Sequence, residues 1–427
     1  MSSRTIVPAQ AVGRVRAPPS KSYTHRAFVA AYLAGRRCEI VRPLESDDTR
    51  ATRDGLSSLG ARVRRSRRGW TVTRLRHGKR PVRRTVWCGE SGTTLRFLSA
   101  VAAIETDPVR LEGGSRLAVR PMAELFEALR QLGVTVRSPP NRRALPCTVR
   151  GPMTAGPVSL RGDVSSQFIS ALLMVLPTLP GPSTVRILGR TVSEPYIEAT
   201  LAVLRDRRIR VHRSKSRFEI PGGQQYPAYP ISVPGDASSA AYLWAAGAAT
   251  GGSVVVEGIP TNLPQADLAI LPILSRMGAR IQRGVRCVRV TGPLSRPISV
   301  DLTDSPDLYP LVAVLAALIP EQRSRLLGAP HLEFKESDRR AASLHLAQVL
   351  GARASSRRSC VEIVGTPAPR PMDLPALDDH RLVMSAAVGA LAGSGASRVG
   401  RVEAVSKSFP GFWTALESLT HAGRHPS

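Results

Sequence analysis

One phrase returns along this chain and limits what it can fold into. It is Leu or Met, then Gly, a small residue, any residue and an apolar residue: SLGARV at 58–63, QLGVTV at 131–136, RMGARI at 276–281 and VLGARA at 349–354. Its glycines, Gly60, Gly133, Gly278 and Gly351, are spaced by 73, 145 and 73 residues, a period of about 73 with one copy skipped. The skipped copy falls near 206, where VLRDRRIRV keeps the shape without the glycine, and a sixth falls near 424, where SLTHAG ends at Gly423. The phrase predicts an amphipathic helix ending at a glycine that accepts left-handed backbone, followed by a strand of alternating apolar residues (ARVRR, VTVRS, ARIQR).

A second element keeps the same spacing. PSKSYTHRAFVAAYLA, GESGTTLRFLSAVAAI, GDVSSQFISALLMVL, GDASSAAYLWAAGAA, DSPDLYPLVAVLAAL and LDDHRLVMSAAVGALA each run from small polar residues into an apolar helix. Such helices are buried nearly all round, and their Ser, Thr and Asp residues suit N-caps. In GDASSAA capping is the whole reading. Elsewhere several helix N-termini gathered in one place would favour a polyanion. Two helices among short strands per unit, three units per domain, predict an α/β fold with six repeats.

With 427 residues, two domains are expected. The N-terminus lacks the apolar core of a secretory signal, and no apolar run reaches the ~18 residues of a membrane span. The five cysteines are far apart, with no CxxC spacing, so neither a disulfide framework nor a zinc site is indicated. These features predict a cytoplasmic protein. The formal charge is +28, from 60 basic and 32 acidic residues, which favours anionic partners. Only Lys21, Lys79, Lys215, Lys335 and Lys407 are lysines. Arginine is used so freely that most of it must be solvated surface, so a lysine says more.

Five clusters carry candidate chemistry. In P19-S-K-S-Y-T-H-R26, Ser22 and Arg26 share a helix face beside Lys21, which suits a phosphate or carboxylate. In E90-S-G-T-T-L-R96, Gly92 lets the backbone approach a ligand, and Arg120 follows in LAVRPM. Ser165-Ser166-Gln167 is followed by S193-E-P-Y196. Asp307 precedes H331-L-E-F-K-E-S-D-R339, and D378-D-H-R381 precedes Ser406-Lys407. Each alone reads equally as a cap, a solvated face or a structural histidine. Together, in fixed order on successive repeats, they do not.

PSKSYTHR, SGTTLRF, LAVRPM, DVSSQF, VSEPYIEATL, SPDL, FKESDR, DDHR and SKSFPGFW resemble, in order, the motifs of the 5-enolpyruvylshikimate-3-phosphate synthase family, the 3-phosphoshikimate 1-carboxyvinyltransferases. The resemblance runs from residue 18 to beyond 407. It implies a two-domain inside-out α/β barrel with three βαβαββ units per domain. One domain would span 17–232 and the other would join 1–16 to 233–427, with the active site in the cleft between them. The activity implied is transfer of the enolpyruvyl group of phosphoenolpyruvate to the 5-hydroxyl of shikimate 3-phosphate, with release of phosphate, in aromatic amino-acid biosynthesis. No metal or organic cofactor is implied, and the chain is expected to act as a monomer without nucleic-acid or membrane partners.

Residue by residue, the resemblance gives shikimate 3-phosphate the ligands Lys21, Ser22, Arg26, Ser165, Ser166, Gln167, Ser193, Tyr196, Asp307, His331 and Lys335. Phosphoenolpyruvate would take Lys21, Gly92, Thr93, Arg120, Gln167, Arg339, Arg381 and Lys407, since arginine reads phosphate and carboxylate in a bidentate way. The reaction needs a base for the hydroxyl and an acid for the methylene carbon, here Asp307 and Glu336, with Lys21 and His380 as helpers. Two positions depart from the family: Glu90 and His331 stand where Asn is common. Glu90 would repel anionic substrates unless turned toward Arg96.

Two other readings compete. UDP-N-acetylglucosamine enolpyruvyl transferases share fold and donor but carry a cysteine in a loop that here reads GGSRLAV (113–119) and has none. A nucleic-acid-binding protein would suit the charge, but 4% aromatic residues limit base stacking. The motifs of RNA 3′-phosphate cyclases, which have a similar repeat, are absent.

Overall fold

The computed structural model describes residues 2–75, 84–140, 143–260, 262–328, 332–333, 335–357, 360–377 and 379–420. The chain divides into two compact units, Pro19–Val233 and Met1–Pro18 with Pro234–Ser427.

The first unit contains α1 (Lys21–Leu33), α2 (Asp47–Ser58), α3 (Gly92–Ala102), α4 (Ala123–Gln131), α5 (Ser166–Val175) and α6 (Glu194–Asp206). Three four-stranded sheets accompany them. The middle repeat shows the pattern: Arg84–Trp87, α3, Val109–Glu112, α4, Thr135–Arg137, Cys147–Arg150. Its first two strands pair in parallel across α3, and the last two close the sheet as antiparallel neighbours. This is the expected βαβαββ unit.

The second unit repeats it with α7 (Ala237–Ala249), α8 (Ile270–Arg276), α9 (Tyr309–Ala317), α10 (Arg339–Val349), α11 (His380–Leu391) and α12 (Phe412–Thr420). Among the described residues two of its sheets have four strands and the third has three. In the three-stranded sheet Ser3–Ile6 lies antiparallel to Ser397–Gly400, where the repeat pattern would put a hairpin.

The periodic phrase does what its residues require. Gly60, Gly133, Gly278 and Gly351 follow the ends of α2, α4, α8 and α10 with φ of 93°, 80°, 113° and 99°. In the skipped copy Arg208 takes the same left-handed position after α6, with φ 55°. Strands follow at Ala61–Ser66, Thr135–Arg137, Arg280–Gly284 and Arg353–Arg357. The Gly423 copy lies outside the described residues.

The small-polar helices form the cores. α1, α3 and α5 pack on one another in the first unit, and α7, α9 and α11 in the second. All nine residues of α9 are buried. Such helices carry no solvent face, so their side chains drive burial all round. Ser91, Ser165, Asp236 and Asp379 cap α3, α5, α7 and α11 through side-chain oxygens. Among the described residues no helix is long and apolar enough to cross a membrane.

Candidate functional site

In the first unit the motif residues are linked in a continuous chain. Lys21, at the first turn of α1, reaches Asp48 at the first turn of α2 (Nζ to Oδ2, 2.9 Å). One turn on, Arg26 is buried. Its Nε donates to Thr200 (2.9 Å), Nη1 to the Ser22 carbonyl (2.9 Å) and Nη2 to the Tyr196 carbonyl (2.7 Å), which ties α1 to α6. Burial lowers its pKa to about 10. Ser193 starts α6 with left-handed backbone, φ 55°, a strained conformation for a residue with a side chain. His25 is fully buried; burial lowers its pKa to about 3, and Nδ1 lies 2.7 Å from the Thr52 hydroxyl. It is a neutral core histidine.

The N-termini of α3 and α5 meet next. Gln167 accepts from Arg96 Nη1 (2.7 Å) and donates to the Thr93 hydroxyl (3.1 Å). Ser165 accepts from the Gln167 amide (3.3 Å), and Ser166 is buried behind it. A Cβ at Gly92 would lie 2.6 Å from Arg96 Nη1 and 2.8 Å from Arg120 Nη1. The two guanidinium groups therefore lie close over the helix start, and a side chain at 92 would have to push them aside. Glu90 Oε2 accepts from the Leu117 amide at 2.8 Å, so its carboxylate is directed to the segment that precedes Arg120.

The second unit gathers the other set. Asp307 accepts from Arg339 Nη1 (2.5 Å) on one oxygen and from Arg381 Nη2 (2.9 Å) on the other. Arg339 also donates to Glu336 (2.9 Å) and, through Nε, to Asp379 (2.7 Å). Lys407 lies 3.5 Å from Glu336 Oε1. Asp379 caps α11 through the Arg381 amide (2.9 Å) and accepts from Ser337 (3.2 Å). His380 is buried beside it, Nδ1 3.4 Å from Asp379. Burial pushes the Asp307 carboxyl up, but Arg381, Arg339 and Lys335 outweigh it and hold it well below the usual carboxylate range. Burial also opposes the charge on Arg339; Asp379, Glu336 and Asp307 more than reverse this and raise its pKa.

The residues expected from sequence thus fall into two sets: Lys21, Ser22, Arg26, Gly92, Thr93, Arg120, Ser165, Ser166, Gln167, Ser193 and Tyr196 in the first unit, and Asp307, Lys335, Glu336, Arg339, His380, Arg381 and Lys407 in the second. His331 lies outside the described residues. Sequence reasoning missed Asp48, Arg96, Thr200 and Asp379 as the partners that hold this set. Asp379 had a visible signal, since an aspartate directly before a buried helix is a cap.

The comparisons fit this geometry. The model of the family described as EPSP synthase (3-phosphoshikimate 1-carboxyvinyltransferase) matches residues 7–416. The chain belongs to the EPSP synthase family. The 3-phosphoshikimate 1-carboxyvinyltransferase of Halobacterium salinarum is 38% identical, over 97% of this chain and 98% of the relative. That of Thermococcus kodakarensis is 39% identical, over 95% and 97%. A solved EPSP synthase from Acinetobacter baumannii, 22% identical, has the same fold, with a TM-score of 0.81 over 98% of each chain.

Proposed function

We infer that this chain transfers the enolpyruvyl group of phosphoenolpyruvate to the 5-hydroxyl of shikimate 3-phosphate and releases phosphate. The observation that carries this beyond family membership is the cluster of Arg339, Arg381 and Lys407 around Asp307 and Glu336. It joins anion-binding groups to the two carboxyl groups that the chemistry needs.

In the proposed assignment the first unit's Lys21, Ser22, Arg26, Ser165, Ser166, Gln167, Ser193 and Tyr196 hold shikimate 3-phosphate, with Asp307, His331 and Lys335 of the second. Gly92, Thr93, Arg120, Arg339, Arg381 and Lys407 hold phosphoenolpyruvate, with Lys21 and Gln167. Asp307 takes the proton of the 5-hydroxyl while the oxygen attacks C2 of the donor, and Glu336 delivers a proton to the methylene carbon. Glu336, now a carboxylate, then takes a proton back from the new methyl group as phosphate leaves, which forms the enol ether.

The resting contacts say what substrate must change. Asp307 shares both its oxygens with arginines, which makes it a weak base. The phosphate and carboxylate of the donor compete for those same guanidinium groups. Donor binding therefore draws Arg339 and Arg381 away from Asp307 and raises its basicity as the acceptor arrives. Glu336, which faces Arg339 and Lys407, is remade into a proton donor by the same competition. Phosphate release from phosphoenolpyruvate, with and without shikimate 3-phosphate, tests the reading. Release that depends on the acceptor supports it; acceptor-independent release or none overturns it.

A further inference from the structure

Glu90 stands two residues before Gly92, and its carboxylate does not lie idle. Oε2 accepts from the Leu117 amide at 2.8 Å, at the start of a single helical turn, Leu117–Val119, that leads directly into Arg120. The turn is closed by the Arg120 amide donating to the Leu117 carbonyl (3.1 Å). The Gly114 amide donates to the Gly89 carbonyl at 2.8 Å, so the loop before α3 grips this segment twice. Room for the grip is specific: a Cβ on Gly114 would lie 1.8 Å from Glu90 Oε1. At the other end the Arg120 guanidinium rests over Gly92, the first residue of the helix that this loop leads into. The loop and this helix start thus fix both ends of the arm that carries an anion-binding arginine.

We propose that Glu90 is a positioning residue for phosphoenolpyruvate: by holding the Leu117 amide it sets where the Arg120 guanidinium stands over Gly92. The inference rests on the assignment of Arg120 to phosphoenolpyruvate made above. A carboxylate beside an anion site costs some repulsion, and the grip on the arm outweighs it. The role needs an acceptor oxygen rather than a charge, so glutamine at this position meets it and alanine does not.

The test is a double-mutant cycle on the full chain, with steady-state constants for both substrates. Glu90→Ala is expected to raise KM for phosphoenolpyruvate about tenfold and to leave KM for shikimate 3-phosphate within about twofold. Glu90→Gln is expected to restore the parent value to within about threefold. Gly114→Ala, which pushes the carboxylate aside without touching it chemically, should reproduce the Glu90→Ala phenotype. In an Arg120→Ala background Glu90→Ala should add nothing further. Equal losses for both substrates, or full additivity with Arg120→Ala, overturn the positioning role and leave Glu90 a fold-stabilising cap. If Arg120→Ala itself leaves KM for phosphoenolpyruvate unchanged, the assignment of Arg120 fails instead, and the two failures are told apart. Thermal midpoints of all variants identify any that fail to fold; Gly114→Ala and Glu90→Gln then carry the test.

Discussion

The densest chemistry sits on single residues whose charges are set against one another. Asp307 holds two arginines, and Glu336 holds an arginine and a lysine. Asn at 307 and Gln at 336 keep shape and hydrogen bonding but cannot exchange a proton. Each is expected to cut kcat by roughly two to four orders of magnitude, while Glu336→Gln still binds both ligands by calorimetry. Wild-type turnover in Glu336→Gln would reduce that residue to an ion-pair partner of Arg339. A second buried carboxyl behaves in the opposite way. Asp267 is buried with Oδ1 lacking a hydrogen-bond partner; its other oxygen accepts from Ser238. Burial, reinforced by the Asp307 carboxylate, raises its pKa to about 7. Between the ordinary value near 3.8 and about 7 the folded chain binds a proton that the unfolded chain does not, so stability falls as pH rises through this window. Asp267→Asn keeps the neutral form's shape and cannot ionise. Urea midpoints between pH 5 and 8 should fall for the parent and flatten for the variant; parallel curves would show that Asp267 does not titrate there.

At the scale of elements, the repeat was legible because helix ends obey a local rule. A helix that stops sharply needs left-handed backbone, and glycine supplies it at Gly60, Gly133, Gly278 and Gly351. The copy without glycine obeys the same geometry at Arg208, which is exposed and pays for it in strain. Arg208→Gly is therefore expected to stabilise the chain by roughly 1 kcal/mol, and Gly278→Ala to destabilise it by at least as much, both measured by denaturant unfolding. No gain in Arg208→Gly would mean that its surroundings favour φ 55° independently. What was not legible is pairing across long stretches of sequence. Ile231–Ser232 lies parallel to Cys38–Val41, and Val12–Arg16 parallel to Ser253–Glu257. These partners are chosen by sheet completion, on which local pattern is silent. The candidate site divides along the same line. Lys21, Arg26, Gln167, Asp307 and Arg339 were readable from motifs, whereas Arg96 and Thr200 stood inside quoted motifs without a holding role, and Asp48 stood outside all of them, until the contacts are known. Glu90 was readable as a departure, but its partner is a backbone amide, which no side-chain pattern reveals.

For the whole molecule the question is what a charge of +28 does. Ion pairs do not account for it, because the 32 acidic residues are already subtracted in that figure: exposed arginines pair with carboxylates in Arg213 with Glu194 and Glu198, Arg398 with Asp373, and Arg14 with Glu257. Pairs of this kind add little stability, but the excess of positive charge still leaves a field that reaches beyond the surface. Both proposed substrates are polyanions, so the field draws them in before any contact is made. Its range is the Debye length, about 30 Å at 0.01 M salt and about 10 Å at 0.1 M. Raising the salt between these limits should therefore lower kcat/KM for both substrates several-fold and leave kcat nearly unchanged, because contacts inside the site are screened far less. Lys215→Ala, which removes one charge outside every motif, should leave the slope almost as it was. Lys21→Ala and Lys407→Ala should instead lose activity at any salt, since they remove contacts rather than field. A flat salt profile with intact turnover would show that the excess charge does not steer substrate, and binding of random DNA at the same salt would then be the comparison that assigns it.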